Sequence, residues 1–397
     1  MKQMRITLIA ITILVFAGMK SPAGAGASLE PYKYTLALHK LQDQIIAGDK
    51  LAHEAQREML VYMAGDFAKV KVSDWQKKNN AEALLIYILS GGHPAIVEKL
   101  LSIKNQPNLP DGALAGALEF VFGNFSAAKK LLKPVNPEDM SITAGSQIAL
   151  VKATLYAKDD YKKAFNLLAK VRLWKPGTLL EEAALRRALS LAAEKKKPDL
   201  FLKWSSQYVR RFSKSFYLPD FMSKFSYYVT RLDFAAQPEL TQKIVRVLDF
   251  LTENQQASIY LTVARAGVVE GKNVQAQFMA RKALGLLKQM PSYSARAKLY
   301  LASSQVATKK RAEAIVLLSS VDRALLEKQD QKIYDAAGLM IAIIQKKPPS
   351  LAGQVKETAM TDTLRKPGES QQGQTFPIAA KVRKLIKNAN DLLEANK

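Results

Sequence analysis

Cysteine is absent from all 397 residues, which excludes a disulfide framework, a thiolate metal site and a cysteine nucleophile together. Stability must come from packing alone. Histidine is scarce, with only His39, His53 and His93, and none is arranged for chemistry. His53-Glu54 begins like a zinc-protease helix motif, but Arg57 stands where the second imidazole must be. His93 lies in Ser90-Gly-Gly-His-Pro-Ala95, where the glycines turn the chain, His93 is placed as a helix N-cap and Pro94 takes the first helical position. His39 falls in a predicted helix and reads as a surface or half-buried residue rather than a base. Neither a Gly-rich phosphate loop nor a serine elbow is present. Glu369-Ser370 is the only pair that could stand in for the glutamate of a lysozyme-like wall lyase. It lies in a low-complexity stretch, where nothing would bury the carboxylate and raise its pKa, and no length remains for a catalytic domain. The chain is read as non-enzymatic, with no cofactor and no metal.

Long apolar runs are confined to one place. Lys2 and Arg5 precede the run from Ile6 to Gly18, and Ser21-Pro-Ala-Gly-Ala-Gly-Ala27 follows it, which is the charge, core and small-residue order of a secretory signal peptide. The run is shorter than the roughly 18 to 20 residues a spanning helix needs. Ala23-Gly24-Ala25 and Ala25-Gly26-Ala27 both fit the cleavage rule. Residues 1–27 are therefore expected to be a signal peptide, with the mature chain beginning near Gly26 or Ser28. The alternative is an uncleaved anchor accommodated by tilt or thinned lipid. No later segment is apolar enough to span, so no transmembrane span is expected after cleavage.

Acidic residues are in deficit, 35 Asp and Glu against 59 Lys and Arg. The first 27 residues hold Lys2, Arg5 and Lys20 and no acid, so the exported part keeps about +21 of the formal +24. In a cytosolic protein that excess would suggest nucleic acid. Export removes that partner and leaves anionic lipid, cell-wall polymer or an acidic protein surface. The competing reading is simple solvation of outer helix faces, since Lys195-Lys196-Lys197 and Lys309-Lys310-Arg311 fall at expected turns.

From Leu29 to about Ile344, Ala- and Leu-rich helical stretches alternate with short turns, and no sustained period-two run argues for a sheet. The predicted fold class is all-α, with a repeat domain over residues 28–345. Thr178-Leu-Leu-Glu181 after Pro176-Gly177 reads as a capping box, and Ser73-Asp-Trp-Gln76 as a weaker one. Beyond Thr178, Leu180, Ala184, Ala188 and Leu191, joined by Leu185 and Leu189, form an apolar stripe with Arg186 and Arg187 towards its edge. Helical hairpins recur loosely in a tetratricopeptide-like frame. Ile148, Val151, Leu155, Ala164, Leu168, Val171 and Pro176 fit it, with Asp160 opening the second helix and Lys152 where a small residue is expected. Ala115, Gly116, Ala128 and Leu132 fit upstream. Val263, Ala264, Ala276, Ala280 and Ala283, then Leu301, Ala302, Ala314, Leu318 and Val321, fit downstream. The expected architecture is an α-solenoid, whose concave surface most often holds another protein. Lys346-Lys-Pro-Pro349 then breaks the helix. Residues 346–377 read as a flexible linker, and 378–397 as an amphipathic helix with Ile378, Val382, Leu385, Ile386, Leu392 and Leu393 on one face. That helix either caps the solenoid or pairs with a partner.

Five segments, Leu29-Glu-Pro-Tyr-Lys33, Leu41-Gln-Asp-Gln-Ile-Ile-Ala-Gly-Asp49, Leu85-Ile-Tyr-Ile-Leu-Ser-Gly-Gly-His-Pro-Ala95, Lys175-Pro-Gly-Thr-Leu-Leu-Glu-Glu-Ala-Ala-Leu-Arg-Arg187 and Tyr208-Val-Arg-Arg-Phe212, resemble the MotC family of periplasmic motility proteins in content, order and spacing. The likeness runs over about Leu29 to Phe216 and consists of turn and packing motifs. It implies a periplasmic protein needed for flagellar rotation, acting on the periplasmic part of the stator subunit MotB, while the surplus positive charge adds anionic cell-wall polymer as an alternative contact. A general scaffold for envelope assembly or peptidoglycan association is the alternative. The family supplies no binding residues to carry over. The candidates are Arg186, Arg187, Arg210 and Arg211, because paired arginines beside apolar stripes suit anchored contact with acidic groups.

Overall fold

A computed structural model describes residues 30–103, 106–286 and 290–345. The segments read above as signal peptide, linker and terminal amphipathic helix lie outside the described residues, as does Glu369-Ser370. Among the described residues the chain forms seventeen α-helices and no strand. They are α1 (Pro31–Ile46), α2 (Lys50–Phe67), α3 (Lys78–Leu89), α4 (Ala95–Leu101), α5 (Ala113–Val121), α6 (Phe125–Leu132), α7 (Ile142–Tyr156), α8 (Tyr161–Trp174) and α9 (Leu179–Glu194). There follow α10 (Pro198–Phe212), α11 (Leu218–Arg231), α12 (Pro238–Leu248), α13 (Glu253–Val269), α14 (Asn273–Leu286), α15 (Pro291–Gln305), α16 (Arg311–Ser319) and α17 (Lys328–Gln345). None is long and apolar enough to cross a membrane.

Turn chemistry sets the boundaries. Asp49 and Asp160 accept from backbone N–H groups at the starts of α2 and α8, and proline opens α1, α10, α11, α12 and α15, where a missing N–H is harmless. A complete capping box sits at Thr252 and Gln255 of α13. The two boxes expected from sequence are not formed. The Thr178 hydroxyl turns back to the Lys175 carbonyl at 2.7 Å, and Glu181, fully buried, accepts from the Gly177 N–H at 2.6 Å. Ser73 falls inside a short 3-10 turn, Val72–Gln76, whose N-cap is Lys71.

Helices pair as hairpins, α1 with α2, α5 with α6, α7 with α8, α9 with α10, α13 with α14 and α15 with α16. Odd-numbered helices also touch in succession from α1 to α17, so they form one layer backed by the even-numbered ones. A helical-hairpin solenoid is compatible with this arrangement. The positions that carried the repeat frame do the packing: Ala128, Ala164, Ala276 and Ala314 are all fully buried, and a Cβ at Gly116 would press into Leu132 at 2.6 Å. Small residues lie where paired helices touch, because a larger side chain would hold the backbones apart.

Two apolar cores meet in α7. Ala144, Ile148, Val151 and Leu155 face one, with Trp75, Leu84 and Phe67, whereas Ala149, Leu150, Ala153 and Tyr156 face the other, with Phe201, Tyr208 and Phe221. A helix apolar all round is buried all round. Lys152, the odd residue of the repeat frame, is buried in this helix and donates to the carbonyls of Leu132, Lys133 and Val135. The orphan carbonyls at the end of α6 thus receive the cation that a helix C-terminus favours. Burial nevertheless presses the Lys152 pKa below the ordinary lysine value, with Lys163 adding to the effect.

The odd-numbered layer also closes on itself. α1 contacts α9, the Phe216 N–H donates to the Ile45 carbonyl at 3.1 Å, and His53 stacks on Phe216 at 4.2 Å between ring centres. Gly48, at φ +98°, makes the approach possible, because a Cβ there would collide with the Lys214 carbonyl oxygen.

Candidate functional site: an arginine-lined cavity in the closed turn

Closure of α1 onto α9 leaves a half-open cavity of about 220 Å3, walled by residues of α1, α2, α3, α5, α7 and α9 together with Tyr217. Its polar lining is Gln42, Gln56, Ser90, Gln147, Arg186, Arg187 and Tyr217, and no Asp or Glu is among its lining residues. Both arginines come from α9, whose residues 183, 186, 187, 190 and 194 lie at helical spacing on one stripe and face cavities. The opposite face buries Glu181, Glu182, Leu185, Ala188, Leu189 and Ala192.

The two arginines are not equivalent. Arg186 pairs through Nη1 with Asp220 at 3.2 Å and lies over the Tyr217 ring at 4.3 Å, although its Nε has no partner. Asp220 is itself shared with Lys224 at 3.0 Å. Arg187 makes no ion pair among the described residues, and its Nη1 is buried without a hydrogen bond. Burial pushes the Arg187 guanidinium down to about 10, and the neighbouring Arg186 charge adds to the push. The amide oxygens of Gln56 and Gln147 are also buried without partners. Four polar groups around one small space are thus left unsatisfied, in a fold whose buried polar groups are mostly paired.

Behind α9 the acids are accounted for differently. Glu181 holds Arg211 at 3.3 Å and Gln207 at 3.1 Å. Glu182 accepts from the Tyr208 hydroxyl at 2.6 Å. Burial pushes the Glu182 carboxyl up, against the pull of the Tyr208 and Ser215 hydroxyls and of Arg186.

The four arginines singled out by sequence therefore divide. Arg186 and Arg187 line the cavity. Arg210 and Arg211 end α10 and do not line it: the first is exposed, bonded to the Ser206 carbonyl and lying over Phe250 at 5.6 Å, and the second closes onto Glu181. Sequence reasoning missed Gln42, Gln56 and Gln147, since a glutamine on a helix gives no sign of which other helix it will face.

Two of the three histidines make structural contacts, His53 in its stack on Phe216 and His93 at the start of α4. His93 accepts at Nδ1 from the Ala95 N–H at 3.3 Å, and its own N–H donates to the Tyr87 hydroxyl at 2.7 Å. His39 is half-buried, with its pKa lowered first by desolvation and then by Lys175. No group of three or more His, Asp or Glu that could hold a metal occurs among the described residues.

Comparison with known proteins extends the resemblance to the whole chain. The family described as "Chemotaxis protein MotC" matches residues 1–397, beyond the half in which the motifs were legible. The Chemotaxis protein MotC of Rhizobium meliloti (strain 1021) is 27% identical over 346 residues, covering 85% of this chain and 79% of the relative. No solved structure matches.

Proposed function

The chain belongs to the MotC family of chemotaxis proteins, and from that premise we propose that it is exported to the periplasm and supports flagellar rotation by holding the periplasmic part of the stator subunit MotB. A motility role follows from the family. Export, the stator partner and the absence of catalysis go beyond the family and are proposed. The signal-peptide pattern of residues 1–27 supports export. The observation that carries the binding role is the acid-free cavity in the closed turn, which offers Arg187 without a counter-charge on a scaffold of packed hairpins. Such a scaffold positions a partner by a preformed surface, and surplus positive charge steers acidic partners towards it.

Two experiments test the reading. A pull-down from periplasmic extract with the tagged full chain is expected to retain the stator subunit, and its absence from the retained fraction argues against the partner. A deletion strain is expected to build flagella that do not turn. A strain that swims normally while its envelope leaks would favour an envelope-assembly scaffold instead.

A further inference from the structure

The cavity does not end at the two arginines. It shares Ala183, Arg186 and Arg187 with a second hollow of about 310 Å3 along α9, and that hollow shares Arg186, Ser190, Glu194 and Lys224 with a third of about 340 Å3. The third is mainly apolar, floored by Phe201, Phe221, Phe225 and Tyr228. A trough results, cationic and amide-lined at one end and aromatic at the other. We infer that this trough binds an extended segment of a protein partner through one acidic side chain on Arg187, with a large apolar side chain further along the segment resting on the aromatic end.

Charge selects the acidic occupant. In the first hollow the two guanidinium groups face no lining carboxylate, Glu194 lining only the other two, and Arg187 pairs with no acid among the described residues, so a negative group from outside completes the pair. Gln147 Nε2 already donates to the Ser90 hydroxyl, and the free amide atoms of Gln56 and Gln147 are oxygens, so recognition of the carboxylate falls to the guanidinium groups. The run of three hollows selects a polypeptide over a free small acid, which would fill the first hollow and leave the aromatic one unused. The chain's own residues 346–397 are a poor occupant, because they carry ten Lys and Arg against five Asp and Glu. This inference rests on the partner-holding role proposed above but not on the identity of the stator.

The test uses the full chain and fluorescent, acetylated and amidated peptides in which one Glu precedes one Phe by one to five positions in an alanine background, each with a Gln counterpart. Fluorescence anisotropy is expected to show at least one Glu peptide binding tenfold or more tightly than its counterpart. Arg187→Gln is expected to remove that difference while melting no lower than the wild type, and Arg210→Gln to leave it unchanged. Glu peptides that bind no better than their Gln partners overturn the inference. So does an Arg187→Gln protein that keeps the preference, and so does free glutamate binding as tightly as the best peptide, which would make the cavity a small-acid site. Should Arg187→Gln fail to fold, Arg186→Gln, which removes the second guanidinium of the same cavity, is expected to weaken the Glu peptide and not its Gln counterpart, and an unchanged preference is a negative result. Stator capture that survives Arg187→Gln would move the partner elsewhere without touching the motility reading. Normal swimming in a strain carrying that variant, with peptide binding lost in vitro, would do the reverse.

Discussion

Among the described residues two buried carboxylate–tyrosine pairs, Glu182–Tyr208 and Asp330–Tyr300, are finished differently. In the C-terminal hairpins Asp330 accepts from the Tyr300 hydroxyl at 2.7 Å and holds Arg296 at 3.0 Å and Arg265 at 3.4 Å, so one buried acid meets two arginines. In the closed turn Glu182 accepts from Tyr208 at 2.6 Å, while Arg187, five residues on, faces the cavity without an ion pair. The first cluster pairs its charges internally, although Arg265 Nε and Asp330 Oδ2 make no hydrogen bond of their own, and it joins α13, α15 and α17. The second pushes its acid up and its arginine down, because each is desolvated without an adequate counter-charge. A cluster whose charges are matched within the fold reads as structure, and one left unmatched beside a cavity reads as a site.

That contrast can be broken from either side. Asp330→Ala strips the acid from two half-buried arginines and from the buried Tyr300 hydroxyl and is expected to cost about 3 kcal/mol, seen by calorimetry as the largest loss of stability in the set. Should its Tm stay at the wild-type value, the C-terminal cluster is not the anchor described. Gly48→Val attacks the closed turn, placing a β-branched side chain at positive φ against the Lys214 carbonyl. A loss of about 2 kcal/mol is expected, with faster proteolysis near Gly48 and Lys214, and unchanged proteolysis would show that closure tolerates the side chain.

Smaller effects sharpen the distinction at the cavity. Arg187→Met removes a charge whose folded pKa is depressed to about 10, below the ordinary arginine value. The charged form is therefore disfavoured in the fold at every pH below about 10, and the penalty fades only as pH rises through that value towards the ordinary one. At neutral pH the variant is expected to be more stable by about 1 to 2 kcal/mol, a rise in Tm where Asp330→Ala gives a fall. A lower Tm would mean that Arg187 is held by the fold after all. Glu182→Gln should give the smallest change. Its carboxyl is raised above the ordinary 4.5, so the stability that the protonated acid provides is present below 4.5 and lost as pH rises through the folded value. The neutral glutamine is thus expected to melt above the wild type near pH 8 and to converge with it towards pH 4. A gap independent of pH would show that Glu182 titrates as it does in the unfolded chain.

Much of the fold was legible because small and apolar residues recur at helical spacing. Ala164, Leu168 and Val171, Ala276 and Ala280, and Ala314 and Leu318 are all buried as that spacing requires. The Asp160 cap at α8 was legible too, since a short acceptor before an apolar run has one good use there. The Thr178 box was not, because Glu181 is drawn into the interior by Gly177, Gln207 and Arg211, partners that the tetrapeptide does not contain. Lys152 departed from its repeat for a reason in another helix, the open carbonyls ending α6. Half of the candidate site was likewise visible. Adjacent arginines at the edge of an apolar stripe marked Arg186 and Arg187 as worth attention, but the same rule marked Arg210 and Arg211, which do not line the cavity.

Sequence by itself determined the all-helical class, the pairing of helices into hairpins and the family, because these follow from local spacing and from motifs carried in order along the chain. Only the tertiary structure decided which charges stay unmatched. That depends on α1 reaching α9 across more than 130 residues of chain, and burial with its counter-charges belongs to the assembled helices and to no segment alone.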